Sequence, residues 1–120
     1  MKGKFAMVVS EQATARVSSE LSEGGDALTI RVAGSFDFNL HRDFQRAYQN
    51  LSPSPRHYCI DLSETLHLDS AALGMLLLLR DHCLGEEPEE GQCRVELMNA
   101  NDHVGNILAV SNFDKIFTIR

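Results

Sequence analysis

Apolar and polar positions divide the chain into short segments of two different periods. From Ala27 to Gly34, Leu28, Ile30 and Val32 fall on one side and Thr29 and Arg31 on the other, which is the period-two pattern of a half-buried strand. Upstream, Ala15, Val17 and Leu21 stand among polar residues, and this predicts an edge strand over residues 14–21 with one solvated face. Glu23-Gly24-Gly25-Asp26 separates the two strands; paired glycines tolerate the positive φ of a tight hairpin turn. Residues 1–12 carry no clear period and read as a loose leader to a domain spanning 13–120.

Further along, the period changes. Leu40, Phe44, Ala47, Tyr48 and Leu51 recur at helical spacing with charged and amide residues between them, so an amphipathic helix is expected there. Ser52-Pro53-Ser54-Pro55 stops it, because proline donates no backbone hydrogen bond and restricts the residue before it. Residues 56–62 form the next strand, and a polar connection then leads to a very apolar helix over residues 70–84. An acidic, breaker-rich loop covers 85–92, followed by a strand at 93–98. Asn101-Asp102 caps a short helix through Val104, Ile107, Leu108 and Val110, and Ile116-Phe117-Thr118-Ile119 ends the chain as a short strand. The order is β-β-α-β-α-β-α-β. A hairpin followed by helical crossovers implies a mixed sheet with a helical layer, in the α/β class.

Asp69-Ser70 is the segment richest in candidate chemistry. Asp is a favoured N-cap, which puts the Ser70 hydroxyl at a helix N-terminus, where spare N–H donors and a partial positive charge suit a phosphate. A plain helix cap explains the same pair. Nucleophilic catalysis by Ser70 with His67 as base is a third reading; the absence of a Gly-x-Ser-x-Gly elbow argues against it. The helix that follows is apolar almost all round. Leu73, Leu76, Leu77 and Leu84 suffice for a core face, which leaves Met75 as either a buried residue or part of a contact patch for another protein. Asp37, after the second strand, falls at the same sheet edge as Asp69 if both strands are parallel.

Composition narrows the class. A chain of 120 residues with 43% hydrophobic and 23% charged residues fits one globular domain. A net charge of −6 without a basic stripe argues against nucleic acid as a partner. The apolar run at 71–79 is too short for a membrane span, and the N-terminus lacks a secretory pattern, so a cytoplasmic protein without membrane insertion is expected. Cys59, Cys83 and Cys93 are odd in number and widely spaced, and read as reduced thiols. The five histidines show no ligand spacing, and the acidic cluster at 86–90 lacks the pattern of a calcium loop. No metal and no cofactor are expected.

Three segments together resemble the STAS domain, and within it the bacterial anti-sigma factor antagonists. They are Val32-Ala33-Gly34-Ser35-Phe36-Asp37, then Asp61-Leu62-Ser63 leading to Leu68-Asp69-Ser70-Ala71-Ala72-Leu73-Gly74, and finally Phe113-Asp114-Lys115-Ile116-Phe117. Ala71 and Ala72 stand where the family pattern has Ser or Thr and Gly. The resemblance implies a mixed sheet of four to five strands with helices mainly on one face. It implies Ser70 as phosphoacceptor for a serine kinase that doubles as anti-sigma factor, with a PP2C-type phosphatase reversing the step. Asp37, Asp69, Ala71, Ala72, Leu73 and Met75 would form the partner-binding surface, and the protein would not be an enzyme. A STAS accessory or scaffold subunit, without a phosphoswitch, is the alternative.

Overall fold

The computed structural model describes residues 15–86 and 93–120, so the leader at 1–12 and most of the acidic loop lie outside the described residues. Strand β1 (Arg16–Leu21) and strand β2 (Ala27–Phe36) form the expected hairpin. A 3-10 turn at Phe38–Leu40 leads into α1 (His41–Tyr48). Strand β3 (His57–Asp61), strand β4 (Thr65–Leu68) and α2 (Ser70–Glu86) follow, then β5 (Arg94–Met98), α3 (Asp102–Val110), a 3-10 turn at Phe113–Lys115 and β6 (Thr118–Ile119).

The six strands make one sheet in the order β1-β2-β3-β5-β6, with β4 paired to β2 off that path. Among the described residues, only β1 and β2 pair antiparallel; the other pairings are parallel. The mixed α/β architecture is therefore the expected one, with one strand added. That strand is β4, in the segment read as a polar connection. It exists because β2 outruns β3: Ala27 to Arg31 pair with β3, and Gly34 to Phe36 pair with β4. The changeover needs a kink, and Gly34 supplies it with a φ of 86°, a conformation that costs a residue bearing a Cβ. The Thr65 hydroxyl closes the junction by donating to the Val32 carbonyl at 2.6 Å.

One face of the sheet is the core. Ile30, Val32, Tyr58, Ile60 and Leu97 are fully buried there, under Leu76 and Leu79 of α2. Helices α1 and α2 pack on each other, and α3 packs on β4. The opposite face is polar by strict alternation, with Arg31 beside Asp61 and Cys59 beside Glu96.

The cysteines depart from expectation. Cys83, in the last turns of α2, and Cys93, just before β5, form a disulfide across a 5.7 Å Cα separation. The ten-residue separation in sequence hid this proximity, because the helix end and the strand start are brought together only by packing of α2 on the sheet. Cys59 is free and half-buried.

Candidate functional site

The C-terminal ends of β2 and β4 lie side by side, with Phe36 opposite Leu68. Asp37 and Asp69, each the next residue, therefore leave the sheet together. Asp37 Oδ1 accepts the Asn39 N–H at 3.0 Å and starts the 3-10 turn. Asp69 Oδ1 accepts the Ala72 N–H at 2.9 Å, so it caps α2 as its position suggests. The Asp69 N–H in turn donates to the Phe36 carbonyl. Ser70 begins α2 and is exposed. Its hydroxyl thus stands at the positive end of a 17-residue helix, with two carboxylates close in the chain fold.

The remaining sequence candidates divide. Ala71 and Leu73 are half-buried. Ala72 and Met75 are 0% and 5% exposed, so they belong to the core and not to a contact surface. The reason is helical geometry: Ala72, Met75, Leu76 and Leu79 point to the sheet and α1, and Met75 packs near Phe44 and Tyr48 of α1. Their place on the surface is taken by Gly74 and Leu77, which follow Ser70 at intervals of four and three and so share its face. A Cβ at Gly74 would meet nothing within 4 Å, which leaves a flat spot next to the hydroxyl. Leu77 is exposed, as are Phe38 beside Asp37 and Leu66 on β4. Phe38, 68% exposed and stacked on His41, is the largest apolar side chain of this rim. Its position in a polar loop was a signal that the sequence reading did not use.

Two further groups shape the site. His67 and His103 stack with Nδ1 and Nε2 3.0 Å apart, so the two rings hold each other at the edge of β4. This engages the imidazole nearest Ser70 in sequence with a partner other than the serine. Below the site, Asp61 organises the turn from β3 to β4. Its carboxylate accepts from the Ser63 N–H at 3.0 Å, the Asn99 amide at 3.1 Å and Arg31 Nε at 2.9 Å. Burial alone would raise its pKa; those hydrogen bonds outweigh it and bring the carboxyl down to about 2. Asn101 ties the other side, donating to the Thr65 carbonyl at 3.0 Å while capping α3 at the Val104 N–H.

A mixed sheet with one helical face, and an exposed serine where a capped helix leaves a strand, is the arrangement of a STAS-type α/β domain. The family model described as Mlab, STAS domain matches residues 19–119, and the chain belongs to that family. A STAS-domain containing protein of Pseudomonas aeruginosa (strain UCBPP-PA14) is 47% identical over 98 residues, covering 82% of this chain and 92% of that protein. The structure of the anti-sigma factor antagonist SpoIIAA in its unphosphorylated form superposes with a TM-score of 0.65 at 14% identity, covering 87% of this chain and 86% of that one. A sulfate transporter family protein from Wolinella succinogenes also gives 0.65, at 13% identity, covering 81% and 74%. At such identities the two structures share the fold. Among the described residues, no helix is long and apolar enough to cross a membrane.

Proposed function

We propose that this STAS domain is a cytoplasmic anti-sigma factor antagonist switched by phosphorylation of Ser70. The observation that carries the reading is the exposed Ser70 hydroxyl at the N-terminus of α2, beside the Asp69 cap and the Asp37 turn. Unmodified, the face of Ser70, Gly74 and Leu77, rimmed by Phe38, docks on a serine kinase that also serves as the anti-sigma factor. Phosphorylation adds about −1.5 to −2 charges at neutral pH. The helix terminus accommodates the phosphate in the free protein. At the docked surface, next to two carboxylates, the same charge weakens binding and releases the kinase. A PP2C-type phosphatase resets the cycle. The domain itself performs no catalysis in this scheme; its output is a change of partner.

The test compares binding of the purified kinase to Ser70→Ala and Ser70→Asp proteins. The scheme requires retained affinity in the first and weakened affinity in the second. Equal affinity in both would remove the switch.

A second reading has its own support: Leu78 and Leu84, together with Leu77, leave apolar side chains exposed along α2. A STAS accessory subunit would use that strip as a permanent contact, with Ser70 as a helix cap alone. Association with a permease complex that is unchanged in Ser70→Asp would favour it.

A further inference from the structure

The polar face of the sheet carries a cluster that the Ser70 scheme does not use. In the parallel pairing of β3 with β5, Cys59 stands opposite Glu96 and His57 opposite Arg94. Alternation along β3 turns His57 and Cys59 to the same side, and the register brings Glu96 beside them. One ligand atom from each residue, an imidazole nitrogen, the sulfur and a carboxylate oxygen, lies within 4.8 Å of the other two. Glu96 is only 3% exposed, and the other two are half-buried.

The distances have a particular form. Cys59 Sγ is 3.6 Å from His57 Nε2, and Glu96 Oε1 is 3.3 Å from the same nitrogen. A tetrahedral zinc ion, with bonds of about 2.3 Å to sulfur and about 2.05 Å to nitrogen and oxygen, sets its sulfur and nitrogen ligands about 3.6 Å apart and its nitrogen and oxygen ligands about 3.3 Å apart. A nucleophilic relay would instead place thiol and carboxylate on opposite ring nitrogens. Here both approach Nε2, and the sulfur and the carboxylate oxygen lie within 4.8 Å of each other, a gap that side-chain rotation closes when an ion binds. Thiolate, imidazole and carboxylate together suit a borderline divalent ion.

We propose that His57, Cys59 and Glu96 form a three-ligand zinc site with a water molecule in the fourth position. Binding releases the Cys59 thiol proton to solvent, and His57 coordinates as the neutral imidazole with its proton on Nδ1. Arg120 Nη1, 2.8 Å from Glu96 Oε1, is the outer partner that orients the carboxylate. Its guanidinium is largely exposed, and in the proposed site it moves to the second oxygen as the ion takes the first. The site lies on the face of the sheet away from α2, so it is independent of the Ser70 reading. Ligand spacing along the chain hid it, because the third ligand comes from a different strand.

Cobalt(II) chloride titrated into the full chain tests the site. The protein is first stripped with chelator and kept without reductant, so that Cys83 and Cys93 stay paired. The expected result is one cobalt per chain, with a near-ultraviolet thiolate charge-transfer band and visible bands of tetrahedral intensity, all displaced by zinc. Cys59→Ser loses the charge-transfer band. Glu96→Gln and His57→Gln, checked for folding by circular dichroism, weaken binding by about tenfold or more. A wild-type protein without the thiolate band would overturn the proposal, as would a spectrum unchanged in Cys59→Ser. The first of these outcomes does not depend on any variant folding.

Discussion

The Asp69 backbone N–H donates to the carbonyl of Phe36 at 3.4 Å, and this bond joins the exits of two parallel strands. One strand delivers Asp37 and the other delivers Asp69 and Ser70, so the acidic pair and the hydroxyl are positioned by sheet register and not by flexible loops. In the proposed scheme, a backbone so held would let a change of charge at Ser70 act on docking without first reorganising the site. The Asp69 cap on Ala72 fixes the direction in which α2, and with it Gly74 and Leu77, leaves that junction.

Binding to the partner kinase is expected to follow the charge at position 70. Ser70→Ala should bind as tightly as the unmodified protein, and Ser70→Asp at least tenfold more weakly, a difference of about 1.4 kcal/mol. Isothermal titration calorimetry with the purified kinase measures both.

Gly74 separates stability from docking. Its Cβ would enter open space, so Gly74→Ala should stabilise the free domain by about 0.5–1 kcal/mol, from the better helix propensity of alanine. Gly74→Lys places a long side chain on the flat spot beside Ser70. It should leave the fold intact by chemical denaturation yet reduce kinase affinity by about tenfold or more. Unaltered affinity would show that the Ser70–Leu77 face is not the contact.

Acid should expose the work of Asp61. Its carboxyl titrates near 2 in the folded protein against an ordinary 3.8, because the Ser63, Asn99 and Arg31 hydrogen bonds overcome the cost of burial. A lowered folded pKa contributes stability that is complete above the unfolded value and is lost as pH falls through the folded one. Between about pH 5 and about pH 2 the protein should lose about 2 kcal/mol through this group alone. Urea titrations over that range, in chelator so that bound metal does not enter, should show a shallower loss for Asp61→Asn than for the wild type.

Reduction of the Cys83–Cys93 bond should cost stability without unfolding the core. The bridge closes a loop of ten residues' separation, and chain entropy assigns such a loop about 2–3 kcal/mol. Urea midpoints with and without a phosphine reductant give the value directly.

Much of this architecture is legible in the sequence, and the losses have physical causes. The alternation of Leu28, Ile30 and Val32 and the helical spacing of Leu40, Phe44 and Tyr48 report one buried face each, and both elements exist, although β2 runs on to Phe36 and α1 stops at Tyr48, short of Leu51, where Gln49 is already extended. Asp37, Asp69 and Ser70 could be placed at one edge because parallel strands end together. Thr65–Leu68 was missed: four residues are too few to show a period, and the strand depends on the Gly34 kink and on room left beside β2 beyond β3. The α2 sequence misleads about which side is outside. Nearly every residue from Ala71 to Leu79 is apolar, so periodicity cannot choose a face, and only packing against α1 and the sheet buries Met75 while exposing Leu77. The disulfide and the His57–Cys59–Glu96 cluster join residues from separate elements, and no local pattern records such a meeting.

Phosphosite mapping by tandem mass spectrometry, after incubation with the anti-sigma-type serine kinase and ATP, bears most directly on the switch. The account requires a single phosphate on Ser70, absent from Ser70→Ala and removed by the PP2C-type phosphatase. Phosphate mapping to another residue, or a wild-type protein left unmodified by an active kinase, would contradict it.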